Sequence, residues 1–401
     1  MTQSDFHIRD DCRLCYGPLW KVLDLPPTAL ANEYPEKPTS QEIFPLFLAR
    51  CLDCGHVQLP VVVDPERLFR EYAYQSGTSP AFVEHLREFA TYNRAGLSGS
   101  IHYPPLVVDI ASNDGTLLDQ FSPNYYRRLG VDPARNLAEK ARAKGIETIT
   151  EFFTPTLARE IVAKHGKAHL VTALNVFAHV DDLNRFAAGV AELLHDDGVF
   201  VFECGYLPDV IERGLYRVIY SEHLSYHSLG PLMPFFAKHG LRLRHAERVD
   251  TQGGSIRCFV RKQPDAQISP ASDELLQMIL AETPASLNVA RLATRIHEDK
   301  IVLRATLLDL KAQGKTVCGY GAPAQLTTLC AALGITAQDI DFIVDDNPLK
   351  QGRFTPGRHI PILPPEALYE RKPDACIIFS ANFAEDIMKR HADFKGDWVT
   401  L

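Results

Sequence analysis

An α/β fold in three parts, a small metal-stapled N-terminal module followed by two Rossmann-like domains, is predicted by three features of the sequence. Two CxxC pairs stand near the N-terminus, short β-rich runs alternate with helical stretches from Leu106 to about Lys262, and a second alternating set starts at Thr316. Strands that alternate with helices imply βαβ units around a parallel sheet. At 401 residues the chain is too long for one ordinary core. Its 46% hydrophobic and 23% charged residues suit soluble globular domains.

The first part, residues 1–75, is rich in Pro, Cys and short apolar runs. Cys12-Arg-Leu-Cys15 and Cys51-Leu-Asp-Cys54 are knuckles separated by 35 residues. Each places two thiolates on one tight turn, and two such turns complete a tetrahedral zinc site. With four protein ligands no coordination position stays open, so the zinc is expected to be structural. Gly55 supplies the permissive backbone after the second knuckle. His56, next to it, is a possible substitute ligand, and the four cysteines are preferred. Cys204, Cys258, Cys318, Cys330 and Cys376 stand in apolar strand-like or helical surroundings and read as buried free thiols. No disulfide framework is indicated.

The second part, 76–265, carries strand-like runs at Leu106–Ile110, Arg128–Val131, Leu170–Leu174 and Gly198–Glu203. The third, 266–401, opens with a helical connector in which Leu292, Ile296, Leu303, Leu307 and Leu310 recur at spacings of three, four and seven. Thr316–Tyr320, Ile340–Val344 and Ala375–Phe379 then supply its strands.

In Val107-Val-Asp109-Ile-Ala111-Ser-Asn113-Asp-Gly115-Thr116 a strand enters a small-residue turn and then a helix. Such a turn, at the carboxyl end of a strand, is where doubly wound sheets bind ligands. About twenty residues on, Asp132 ends the next strand with a carboxylate suited to ribose hydroxyls. Ala111 and Asn113 replace two glycines of the GxGxxG pattern, which disfavours a diphosphate. Asp114 is a poor neighbour for phosphate and a good one for a sulfonium ligand with an α-amino group. The turn therefore favours S-adenosylmethionine over NAD. Phe152 and Phe153 are placed to flank an adenine, although core packing explains them equally well. Asn175 falls where the reactive end of the donor sits.

The most unusual stretch runs from Tyr216 to Ser228 and holds Tyr216, Tyr220, Glu222, His223, Tyr226 and His227. Methylation at carbon beside a ketone needs a base for the α-proton and donors for the enolate oxygen. Histidine suits the first task and tyrosine hydroxyls the second. His179, after Asn175, and Tyr74, before the first sheet strand, are further candidates.

The order of motifs resembles the sugar C-methyltransferases of deoxysugar biosynthesis over nearly the whole chain. The resemblance rests on the CxxC pair, Asp109–Thr116, Asn175-Val-Phe-Ala-His179-Val and Tyr220-Ser-Glu222-His223. It also rests on Gly253-Gly254-Ser255-Ile-Arg257, Gly319-Tyr320-Gly-Ala322-Pro323 and Val344-Asp-Asp346-Asn347-Pro-Leu-Lys-Gln-Gly352. It implies a central methyltransferase domain that holds S-adenosylmethionine through Asp109, Ala111, Asn113, Gly115, Asp132, Phe152, Phe153 and Asn175. It implies that His223 is the general base beside a 4-keto group, with Tyr220, Glu222, His179 and Tyr74 lining the sugar. Gly254, Ser255 and Arg257 would contact the nucleotide-linked substrate, as would Tyr320, Ala322, Pro323, Asp346 and Asn347 of the C-terminal domain. Two positions depart from the family pattern. Gln325 replaces a lysine, and Ala381-Asn382-Phe383 replaces a Trp-Asn-Tyr-like signature. Both leave the nucleotide base open between thymidine, guanosine and others. Carbon 3 leads as the methylated position, while carbon 5 is equally acidic.

Composition narrows the alternatives. A net charge of −8 without a Lys/Arg cluster argues against a zinc-ribbon RNA-binding or RNA-modifying protein. The imperfect glycine turn argues against a two-domain NAD oxidoreductase. An O- or N-methyltransferase on a sugar or small metabolite is the nearest competitor. No apolar run is long enough to span a bilayer, and Met1–Asp11 has no signal-peptide core. A cytoplasmic monomer without nucleic-acid or membrane partners is expected.

Overall fold

The computed structural model describes residues 6–97, 104–262, 271–380 and 383–400. The N-terminal strands are β1 (Phe6–Ile8), β2 (Leu19–Thr28), β3 (Phe44–Cys51), β4 (Val57–Gln58) and β5 (Val61–Val63). β1 pairs with β5, and β2, β3 and β4 form consecutive antiparallel pairs. Phe44, Leu46 and Leu48 alternate onto the buried face of β3, as a strand with one covered face requires. A short helix, α1 (Pro65–Phe69), follows, with Pro in its first turn and Asp64 accepting from the Glu66 amide at 2.9 Å.

The central part contains α2 (Pro80–Leu97), β6 (Leu106–Ile110), α3 (Thr116–Asp119), β7 (Arg127–Val131), α4 (Arg135–Ala143), β8 (Glu147–Ile149) and α5 (Pro155–His165). It continues with β9 (Ala168–Leu174), α6 (Leu183–Leu193), β10 (Leu194–Gly205) and α7 (Leu207–Glu212). It ends with β11 (Ser225–Tyr226), α8 (Leu229–Lys238), β12 (Leu241–Val249) and β13 (Ser255–Lys262). Seven strands form one sheet in the order β12-β13-β10-β9-β6-β7-β8. Pairs from β10 to β8 are parallel, and β13 runs antiparallel to both of its neighbours. Every residue of β6 is buried because helices cover both faces. Val107, Leu170 and Val201 pack under Leu86, Phe89 and Leu118. Val108, Val171 and Phe200 face Leu157, Phe186 and Leu232.

β11 leaves this sheet and pairs with β4, so the N-terminal sheet gains a fourth strand from the central part. The chain then forms α9 (Asp273–Ala281) and α10 (Ala290–Ala312) before a second, all-parallel sheet. Its elements are β14 (Val317–Tyr320), α11 (Gln325–Leu333), β15 (Phe342–Val344), β16 (Ile362–Leu363), α12 (Ala367–Arg371), β17 (Ala375–Ile378), α13 (Ala384–Arg390) and β18 (Asp397–Thr400). The strand order is β16-β15-β14-β17-β18. On α10, Leu292, Leu303, Leu307 and Leu310 form the buried stripe, and Ile296 is partly buried beside it. That stripe shares one core with Leu23 and Leu25 of β2, Leu46 and Leu48 of β3, and Leu329 and Leu333 of α11. The N-terminal module is thereby wedged between the other two parts. Among the described residues no helix is long and apolar enough to cross a membrane.

Candidate active site

The four knuckle cysteines converge, with their sulfurs all within 4.8 Å of one another. Cys12 Sγ lies 3.6 Å from Cys54 Sγ, and Cys15 Sγ lies 3.4 Å from Cys51 Sγ. A Zn–S bond of about 2.3 Å sets tetrahedral S···S edges of about 3.8 Å, so the cluster fits zinc. The Leu14 amide approaches Cys12 Sγ and the Cys54 amide approaches Cys51 Sγ, which stabilises thiolate charge. Both knuckles close through a left-handed residue, Gly55 in the second and Tyr16 (φ 64°) in the first. His56 is turned away from the sulfurs' role: its Nε2 lies 3.3 Å from Ser225 Oγ.

At the carboxyl ends of β6 and β9 the backbone holds an unusual conformation. Ala111, Asn113 and Asn175 have φ of 58°, 54° and 57°, and Gly115 has φ 76°. Left-handed non-glycine residues cost of order 1–3 kcal/mol each and cluster at functional sites. A Cβ on Gly115 would stand 2.7 Å from Ile146 Cδ1 and 3.0 Å from Ala141 Cβ, so with φ 76° a larger residue there is strained. Asp132 accepts from the Asn113 amide at 2.7 Å and the Ala134 amide at 2.8 Å, one through each oxygen. Each oxygen keeps acceptor capacity for a hydroxyl. Asp109 is buried, which raises its pKa to about 7 despite the 2.6 Å bond from the Thr172 hydroxyl.

Asn113 also fastens the preceding segment over the turn. Its Oδ1 accepts from the Ser76 amide at 2.9 Å and its Nδ2 donates to the Tyr74 carbonyl at 3.1 Å. Tyr74 itself is 43% exposed, with its ring edge toward Phe82. The carboxylate of Asp114 faces Thr116, the Gly77 amide and Lys144, so its charge is answered within the protein. Phe152 lies 4.8 Å beneath the Arg70 guanidinium, and Phe153 packs edge-on against Phe186 of α6.

The histidine candidates meet. The rings of His179 and His223 stack 5.0 Å apart, with Phe69 behind His179 and Tyr220 4.1 Å from the His223 centroid. His223 Nδ1 lies 2.7 Å from the Val218 carbonyl, which can only accept. Nδ1 therefore carries the hydrogen, and Nε2 keeps its lone pair. Burial lowers the His223 pKa to about 4 against the raising effect of Val218, and burial also depresses His179. His223 is therefore neutral at pH 7. Burial raises the Tyr220 pKa, which keeps its hydroxyl protonated as a donor.

Glu222 is buried and holds this loop in place. Its Oε2 accepts from the Tyr72 hydroxyl at 2.8 Å and its Oε1 from Asn32 Nδ2 at 2.5 Å. Helix α11 of the C-terminal part closes on the same segment: Thr328 donates to the Ile219 carbonyl at 2.5 Å, and Arg217 Nε donates to Gln325 Oε1 at 3.2 Å. The Ala322 carbonyl accepts from the Tyr34 hydroxyl at 2.7 Å, and Pro323 follows in the same turn. Asp345 takes the Ala322 amide at 2.7 Å and the Lys350 ammonium at 3.4 Å. An acid at that strand end would otherwise meet a dinucleotide ribose.

Other expected substrate contacts lie in tighter surroundings. Tyr320, 1% exposed, shares its hydroxyl between Asp346 and His391, and Asp346 also pairs with Arg390. Asn347 caps its own turn by accepting from the Leu349 amide. Arg257 lies in a buried network with Glu203, Glu247 and, through Glu203, His85. Ser255 is fully buried and donates to the Thr251 carbonyl, while a Cβ on Gly254 would meet Asp209 Cβ at 2.8 Å. Ala381 and Asn382 lie outside the described residues.

Sequence families match the three parts separately: a zinc binding domain over residues 12–69, a methyltransferase domain over 82–246 and a C-methyltransferase C-terminal domain over 250–400. The C-methyltransferase NovU of Streptomyces niveus is 35% identical over 96% of this chain and 93% of its own. The chain belongs to the C-methyltransferase family. Solved structures similar to it include the CcbJ methyltransferase of Streptomyces caelestis, at 14% identity over 50% of this chain and 96% of that one, TM-score 0.36. Another is magnesium protoporphyrin IX methyltransferase of Synechocystis with bound SAH, at 15% identity over 45% of this chain and 83% of that one, TM-score 0.34.

The enzyme is thus an S-adenosylmethionine-dependent C-methyltransferase with a zinc-binding N-terminal module. At the strand-end turn Asp132 keeps acceptor capacity suited to ribose hydroxyls, and Lys144 is engaged by Asp114 and Thr116. Three residues of this site escaped the sequence reading: Phe69, which stacks on His179, and Tyr72 and Asn32, which hold Glu222. Tyr72 stands two residues from Tyr74 and was open to the same argument. Asn32, 190 residues from Glu222, and Phe69 carry no local signal.

Proposed function

We propose that the enzyme methylates carbon 3 of a nucleotide-linked 4-keto-deoxysugar. The observation that carries this reading is His223, neutral, with Nδ1–H fixed on Val218, Nε2 keeping its lone pair, and its ring packed against those of Tyr220 and His179. Nε2 removes the proton from the carbon next to the ketone, and the C–H electron pair moves into an enolate. The Tyr220 hydroxyl donates to the enolate oxygen. S-adenosylmethionine supplies an electrophilic methyl group, which the enolate carbon receives, and S-adenosylhomocysteine is released. The residues that hold it in this reading are Asp109, Ala111, Asn113, Gly115, Asp132 and Asn175, with Phe152 and Phe153 at the adenine. Glu222, with both oxygens engaged as acceptors, orients the loop instead of moving the proton.

Tyr74, fastened over the turn by Asn113, closes the sugar side. The nucleotide lies toward the Ala322–Pro323 turn and Gln325, where the C-terminal part touches the His223 segment. In this reading the protein acts as a monomer. Five buried free cysteines outside the knuckles support a reducing, cytoplasmic setting.

The test incubates the enzyme with S-adenosylmethionine and thymidine- and guanosine-linked 4-keto-6-deoxyhexoses and their 4-hydroxy analogues in deuterated water, read by mass spectrometry. Methyl gain at carbon 3 of one member is expected. Gain at carbon 5, or methylation only of 4-hydroxy analogues at oxygen, would overturn the reading.

A further inference from the structure

The loops that carry the two histidines are joined back to back. The amides of Leu224 and Ser225 both donate to the Ala178 carbonyl, at 2.8 and 3.0 Å. From there the chain enters β11 and pairs with β4, and the Leu59 amide donates to the Leu224 carbonyl at 2.9 Å. One side chain grips this junction from outside. Arg13 is fully buried; its NH1 donates to the Leu59 carbonyl at 2.9 Å and the Leu224 carbonyl at 3.2 Å, and its Nε donates to Asp181 Oδ1 at 3.1 Å. Leu224 follows His223, and Asp181 lies two residues after His179.

The main chain of Arg13 is part of the first zinc knuckle, between Cys12 and Cys15. Its amide donates to Gln58 Oε1 at 2.9 Å and its carbonyl accepts from Asn184 Nδ2 at 2.7 Å, so the backbone from which the side chain reaches is itself fixed. A planar guanidinium serves two carbonyls and a carboxylate at once, which a lysine ammonium cannot reproduce with the same geometry.

We infer that Arg13 is a positioning residue through which the zinc knuckle sets the register of His223 against His179. The inference rests on the reading of His223 as the base, and it gives the structural zinc a defined consequence at the site. Loss of the clamp lets the Leu224 carbonyl shift, and with it the His223 ring and its Nδ1–H bond to Val218. Misplacement of a catalytic group by about 1 Å costs of order 100-fold in rate.

The test compares wild type, Arg13→Gln and Arg13→Lys as full-length zinc-loaded proteins. Zinc content, S-adenosylmethionine affinity and nitrogen–proton correlation spectra of the histidine rings are measured without sugar. Turnover is then measured on the 4-keto sugar that wild type accepts. We expect Arg13→Gln to keep zinc and donor affinity, lose the Nδ1–H tautomer signature of His223, and lose about 100-fold in kcat with KM little changed. Arg13→Lys should recover part of both effects. A wild-type ring spectrum and kcat in Arg13→Gln would overturn the inference, and so would an effect that appears only with zinc loss. If Arg13→Gln does not fold, Asp181→Ala removes the acceptor on the loop side, with Arg9→Gln as its control because Arg9 NH1 also donates to Asp181 Oδ1 at 3.3 Å; a ring shift in Asp181→Ala but not in Arg9→Gln is expected, and a wild-type spectrum in Asp181→Ala overturns the inference. Failure of wild type on every keto sugar counts against the proposed substrate alone, because the ring readout needs none.

Discussion

His223 and His179 stack ring on ring at 5.0 Å with a 22° tilt, and the Nδ1 of His223 points away from the pair to the Val218 carbonyl. Two neutral imidazoles can share a dry pocket in this way, whereas two imidazolium ions would repel. The stack therefore favours the unprotonated state of both rings. Phe69 behind His179 extends the apolar wall on that side.

Replacement of His223 by Ala should abolish turnover, with a loss of at least the roughly 10²–10⁴-fold that general-base catalysis supplies. S-adenosylmethionine binding should stay near wild type, since the strand-end turn at Ala111, Asn113 and Gly115 is separate from the His223–Val218 contact. Steady-state rates and isothermal titration check the two halves. An unchanged rate would remove His223 as the base.

Substitution of Cys51 by Ser should act through folding. Cys51 is buried, its sulfur lies 3.4 Å from that of Cys15, and it begins the turn closed by the Gly55 amide on the Cys51 carbonyl. A hydroxyl is a poor zinc ligand, and binding energy of a structural metal is part of the stability of its module. Zinc content by atomic absorption should fall together with solubility. A variant that stays folded and zinc-free but inactive would mean that the zinc has a chemical role.

Much of the scaffold was legible in the sequence because local patterns encode it. Leu106–Ile110 is the strand the alternation indicated, residue for residue, since all five side chains are buried and all five are apolar or backed by Thr172. The leucine spacing marked α10, and the CxxC spacing marked the sulfur cluster. The long-range pairings were not legible. Nothing around Ser225–Tyr226 announces that it will leave its own sheet for β4, and nothing around Asn32 or Arg13 points to partners some 200 residues away. Such contacts are decided by how the three cores pack together, which periodicity within one segment does not record. Asp114 shows the converse: its charge looked like a ligand group, yet Thr116, Gly77 and Lys144 stand nearer to it than any ligand argument could reveal.

Acid should destabilise the protein over a defined window. His227 is fully buried against Phe177, and burial lowers its pKa from the ordinary 6.5 to about 4. The unfolded chain takes up the proton first, so this contribution is complete above pH 6.5 and is lost as pH falls toward 4. It amounts to at most about 3 kcal/mol. Urea unfolding at pH 7 and pH 5 should show the decline, and His227→Phe should lessen it, since buried His56, His179 and His223 add to the same window. Equal slopes in both proteins would assign the acid sensitivity elsewhere.

Removal of the Tyr72 hydroxyl should loosen the loop that carries Glu222 and His223 without touching His223 itself. Tyr72 donates to Glu222 Oε2 at 2.8 Å, Asn32 donates to Oε1 at 2.5 Å, and the carboxylate is buried between them. Burial already raises the Glu222 pKa, and the two donors are what oppose that rise. In Tyr72→Phe one donor is lost, so the Glu222 pKa should climb further and the protonated form should gain population toward neutral pH. A hydrogen bond to a charged group is worth about 1.5–3 kcal/mol, which sets the expected loss of folding stability. If Glu222 orients the loop, kcat should fall most at low pH and recover in part as pH rises and the carboxylate is restored. If Glu222 were itself the base, its higher pKa would strengthen it, and activity per ionised enzyme would not fall. The pH profile of kcat in Tyr72→Phe against wild type separates these outcomes, and a profile displaced in height but not in shape would confine Tyr72 to packing.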